Sequence, residues 1–254
     1  MSYRGDNTGS FIGGRSIEKT YSIPPVSHLP YSKKMLADWT AECAADAPTL
    51  VVPWSAPDSD AHFVDLRAEP YDIAEIPEAE RFPPLGRALR ALNATRSPFL
   101  TAKCDTWRMS AKDHAEDLEA LRLELDLDPE ATHFGFASYI DLLWRERPVF
   151  ASAHQQQDRL DRIVRRAQKL PHNAAALECV LRPALLDLNG PVEGFAVTLY
   201  VTALGENADE ATQRWAAALE DVVALLRGKE LEATRGSATI DSADAFPLRV
   251  RHLG

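Results

Sequence analysis

The chain has 254 residues, 45% hydrophobic and 26% charged, with 28 basic against 38 acidic side chains and a formal net charge of -10. That length suits one large domain or two small ones with a sizeable core, and the balance excludes wholesale disorder. The acidic surface repels phosphate backbones, so nucleic acid is set aside as a partner, and a basic protein or a cationic ligand suits the charge better.

Cys43, Cys104 and Cys179 are dispersed along the chain. They argue against a disulfide framework, fit a reducing cytoplasm and have no zinc-knuckle spacing. Residues 1–20 lack the apolar stretch of a signal peptide, and no segment has the length and apolarity of a membrane span. A soluble, cytoplasmic protein is expected.

Residues 1–60 form a Pro/Gly-rich N-terminal arm, and 61–254 an α+β domain. Prolines block helix and sheet ladders alike, so the arm reads as extended or irregular. One short helix is expected at 32–45, where Met35, Leu36, Trp39 and Cys43 share a face. The arm also carries Phe11, Ile12, Tyr21, Ile23, Val26, Leu29, Tyr31, Leu50, Val51, Val52 and Trp54. A solvated tail needs far fewer apolar residues, so the arm is expected to wrap its own domain or a neighbouring subunit.

The regular part opens with a strand at 62–73 and a helix at 82–95, whose prolines suit a first turn and whose stop is Asn93. The stretch Thr101–Met109 alternates as a strand, with Leu100, Ala102 and Cys104 inward and Lys103, Asp105 and Trp107 outward. Ser110 with Asp113 resembles a capping box for a helix that carries Leu118, Leu121 and Leu125 on one face. A second strand starts at His133. It places Phe134, Phe136, Ser138, Ile140, Leu142 and Trp144 on one side, and Gly135, Ala137, Tyr139, Asp141 and Leu143 on the other.

The run at 148–153 reads as a short strand, and 156–170 as an amphipathic helix. Two β-rich runs then flank Asn189-Gly190, the strongest short hairpin signal available. Pro183 suggests an edge or a bulge in the first run. A helix follows, with Ala211, Trp215, Ala218, Leu219, Val222 and Leu226 as its stripe and Gly228 as its cap. One or two edge strands are expected within 230–254.

The order β-α-β-α-β-β-α-β-β-α-β breaks strict alternation. The expected architecture is α+β: a mostly antiparallel sheet with helices packed on one face, ferredoxin-like or a duplicated or extended ferredoxin-like plan. A doubly wound α/β sheet is the alternative. The strand-helix units from 99 and 193 are alike in outline without a residue-level repeat, which makes the domain readable as two pseudo-repeats, about 61–170 and 171–254.

No catalytic signature is present, and no catalytic residue, metal or cofactor is assigned. If the strands at 101 and 133 are neighbours, Asp105, Trp107, His133, Tyr139 and Asp141 form a ligand-binding candidate. Paired carboxylates beside aromatic rings can exchange a proton or grip a cation, although a solvated sheet face carries the same residue types. His154 and Asp158 have the i, i+4 spacing of a shared metal but lack a third ligand, and Asp158 equally suits a helix N-terminus. Cys104 and Cys179 read as buried hydrophobes. The expected function is a non-catalytic binding or assembly protein acting through protein–protein contacts. It could be an inhibitor or immunity-type partner, a subunit of a complex, or a homo-oligomer. The alternative is a small-molecule-binding protein or enzyme using the acidic and aromatic sheet face.

Overall fold

The computed structural model describes residues 34–228 apart from 45, 130 and 132. The arm residues before these, and the terminal strands expected in 230–254, lie outside the described residues. Six strands make one mixed sheet: β1 (Leu36–Ala41), β2 (Leu50–Val52), β3 (Phe99–Met109), β4 (Phe134–Trp144), β5 (Ala175–Leu186) and β6 (Val192–Gly205). Among the described residues a 3-10 turn (Pro70–Glu75) and six α-helical segments accompany them: α1 (Pro77–Arg81), α2 (Pro83–Asn93), α3 (Ala115–Glu124), α4 (Arg147–Phe150), α5 (Ala153–Ala167) and α6 (Ala208–Leu226). The sheet order is β1-β5-β6-β4-β3, with β2 continuing the β1 edge of β5. The pairs β3/β4, β4/β6 and β5/β6 are antiparallel, whereas β1 and β2 run parallel to β5. The class is therefore α+β.

The hairpin forms as its turn residues require: Gly190 takes a φ of 100°, and Leu186 pairs with Val192. Pro183 is neither at the sheet edge nor in a bulge. It sits in continuous β5, between the residues paired with β1 (up to Leu181) and those paired with β2 (from Ala184). Its missing N–H thus coincides with a break in the neighbouring strands.

Three local expectations are corrected. The helix expected at 32–45 does not form over its described residues; Leu36–Ala41 is β1, because pairing with β5 outweighs a weak helical periodicity. Residues 62–73 do not form a strand. The Asp65 carboxylate accepts hydrogen bonds from the backbone of Arg67 and Ala68, closing a turn, and only His62 bridges back to Ser55. The apolar run at 148–153 starts in α4, where Pro148 suits a helical first turn. Ser110 and Asp113 do bond to one another, but one turn before α3, whose cap position is His114.

The helices divide between the two faces of the sheet. On one face Trp215 of α6, wholly buried, donates to Ser138 Oγ at 2.8 Å and packs on Phe136 at 4.6 Å between ring centroids. Trp39 reaches Asp161 of α5 there, and Asn93 of α2 bonds to Thr101. On the other face Leu118 and Leu125 of the α3 region form a smaller apolar cluster with Met109, Ala137 and Leu204. A plan with every helix on one face therefore does not hold.

Candidate functional site

The registers put one row of side chains straight across the face away from α6. Asp38 pairs with Glu178, Glu178 with Tyr200, Tyr200 with Tyr139, and Tyr139 with Asp105. Cross-strand partners lie side by side on one face, so the row reads acid, acid, tyrosine, tyrosine, acid. The row nearer α3 holds Leu36, Ala176, Thr202, Ala137 and Trp107. The row on the other side holds Thr40, Val180, Thr198 and Asp141.

Both ends of this face are apolar. The α3 cluster covers one end. At the other, Leu50 and Val52 align through β5 with Ala184 and Leu186, and join the main core with Leu143 and Ala196. Trp54 bounds the middle: its indole donates to Ala102 O at 3.0 Å, and Lys103 Nζ lies 4.8 Å from its ring centroid.

Four of the five sequence candidates meet here. The rings of Trp107 and Tyr139 are 6.4 Å apart, and those of Tyr139 and Tyr200 are 6.0 Å apart, both tilted. Asp105 is half-buried. Burial raises its pKa, while a 2.6 Å hydrogen bond from the Thr106 N–H opposes the rise. Asp141 is only 5% exposed and accepts a 2.5 Å hydrogen bond from Thr198. Burial lifts its pKa against the pull of Thr198, Arg182 and Lys103. Burial also raises the Tyr139 phenol, with Asp141 and Asp105 adding to it.

His133 does not join them. It precedes β4, and its Nε2 lies 3.2 Å from Asp128 O. It stands six positions before Tyr139, about 20 Å along an extended strand. Sequence reasoning did not bring Asp38, Glu178, Arg182, Thr198 and Tyr200 into the site. Thr198 and Tyr200 alternate with Leu199 and so share a face of β6, but only the sheet order places that strand beside β4.

A bulge also adjusts the phase of β3. Thr101 pairs with Leu142 and Cys104 with Ile140, so β3 carries one extra residue there. Leu100 therefore shares the face of Asp105 and Trp107, whereas Cys104 turns to the helix side. Burial pushes the Cys104 thiol up to about 12, the opposite of an activated nucleophile. Among the described residues no three His, Cys, Asp or Glu side chains gather as a metal site, and no helix is long and apolar enough to cross a membrane. No protein-family model, curated protein or solved structure matches the chain.

Proposed function

We propose that this is a cytoplasmic, non-catalytic binding protein that holds a protein partner against the sheet face that the described residues leave half-covered. The observation that carries the reading is the chain of rings Trp107–Tyr139–Tyr200, which runs over three strands from the α3 cluster into the acid–tyrosine row. Half-buried aromatic rings give large contact area at low entropic cost, as interface anchors do. An inhibitor, an immunity-type partner or a subunit of a complex are concrete forms of this class. The ferredoxin-like plan belongs to the same proposal, in a permuted order. β4, α5 and β5 form a crossover with β6 between its strands, and β3 takes the outer place beside β4 although it comes earlier in the chain.

The sheet edges favour the face over strand addition. The Thr101 N–H of β3 donates to Asn93, Ala102 O accepts from Trp54, and the Thr106 N–H donates to Asp105. On β1 the Trp39 N–H donates to Asp38, and Ala37 O accepts from Gln168. Side chains thus occupy edge groups that a partner strand would use.

Affinity capture from native lysate tests the reading, with Tyr139→Ser/Tyr200→Ser as the comparison and its melting temperature as the folding control. A partner retained by wild type should be depleted about tenfold by the variant. Equal capture by both sinks the proposal.

One observation favours a second reading, a small-molecule site or an active site. Asp141 is a nearly buried carboxyl with a raised pKa beside two tyrosines. A cationic small molecule that raises the melting temperature of wild type but not of Asp105→Asn/Asp141→Asn would favour that reading.

A further inference from the structure

We infer that the β1–β5 side of this face seats a basic segment of the partner protein, with an arginine or lysine side chain over Tyr200 and against Asp38 and Glu178. The inference rests on the sheet-face reading above and adds the chemistry of the partner.

Asp38 and Glu178 are direct partners in adjacent strands and project from the same face. Like charges set opposite one another destabilise a sheet. Asp38 is exposed and Glu178 only partly covered, so the fold does not need either there for packing. The cations nearby are already engaged: Arg182 lies 3.4 Å from Glu42 and hydrogen-bonds Tyr200, which leaves the ring face of Tyr200 rather than its hydroxyl for a partner cation, and Lys103 stacks on Trp54. Partial burial, then Glu42, Asp38 and Glu124, holds the Glu178 carboxyl above its usual range, and Arg182 only partly opposes this.

The fold therefore keeps a concentrated negative potential beside an aromatic ring. A guanidinium answers both features, since it pairs with carboxylates and stacks on ring faces. A second copy of the same chain is disfavoured, because two such faces would bring carboxylate rows together.

Calorimetric titration of the full chain with an oligoarginine peptide tests this, beside a neutral Gly/Ser peptide of equal length and free arginine. The variant Asp38→Asn/Glu178→Gln is compared with Asp209→Asn/Glu220→Gln, which removes the same charge from exposed positions of α6. Oligoarginine should bind wild type, weaken with salt, and lose about tenfold with the face variant but less than about twofold with the α6 variant. The face variant should also melt higher than wild type as the repulsion goes.

Equal weakening by both variants reduces the effect to net charge and overturns the inference. So does free arginine binding as tightly as the peptide, or a wild-type dimer in sedimentation that Tyr139→Ser/Tyr200→Ser dissolves. If oligoarginine fails to bind while the tyrosine variant still loses its captured partner, this inference falls and the sheet-face reading stands.

Discussion

Thr198 donates a 2.5 Å hydrogen bond to Asp141 across the β4/β6 pair, and both side chains are buried. Thr198 is the direct stabiliser of a carboxylate that burial disfavours. Thr198→Val should cost about 1–3 kcal/mol, the range for leaving a buried polar group without its partner, read by urea unfolding at neutral pH. Asp141 should then titrate higher still, because Thr198 is among the groups that lower its pKa.

The same carboxyl sets a pH dependence. Its folded pKa lies above its unfolded value, so its contribution to stability is full below the unfolded pKa of about 3.9 and is lost as pH rises through the folded pKa. Asp141→Asn should therefore raise the melting temperature at neutral pH and flatten this part of the stability profile. Melting curves across the acidic-to-neutral range check it, and an unchanged profile would show that Asp141 ionises at no cost.

Trp215 anchors the helix side. It packs on Phe136 and Phe82, and its indole N–H is satisfied by Ser138. Trp215→Ala should cost about 3–5 kcal/mol. Ser138→Ala should cost about 1–3 kcal/mol by leaving the N–H unpaired in the core. The denaturant midpoint should fall in both variants without a change in slope.

Asn93 joins the end of α2 to β3. Its amide donates to Leu89 O and Thr101 Oγ1, and its oxygen accepts from the Thr101 N–H. Asn93→Ala should cost about 1–3 kcal/mol and leave this stretch of the β3 edge unprotected. Hydrogen exchange at the Thr101 amide should accelerate well beyond the global change.

Gly205 ends β6 where α6 begins. A Cβ there would collide with Ala211 N, which is backbone and cannot swing aside. Gly205→Ala should destabilise by about 1–3 kcal/mol by forcing strand and helix apart. A variant as stable as wild type would show that the junction yields freely.

The sequence by itself determined the local elements with long, regular patterns. The alternation of Phe134–Trp144 and Val192–Gly205, the Asn189-Gly190 turn and the Trp215 stripe follow from backbone geometry and burial period, which act over a few residues. Short or proline-bearing stretches were not legible in this way. The residues of β1 carry a weak helical period, and only pairing with β5, more than 130 residues away, makes them a strand. The β3 bulge, which turns Leu100 to the face of Asp105, leaves no mark in the alternation.

The site shows the same division. Asp105, Trp107, Tyr139 and Asp141 could be chosen from parity within two strands. That Tyr200 and Glu178 extend their row, and that His133 stands apart from it, was decided by sheet order and register. These arise from the burial of whole strand faces against α2, α5 and α6, a balance that no local stretch of residues contains.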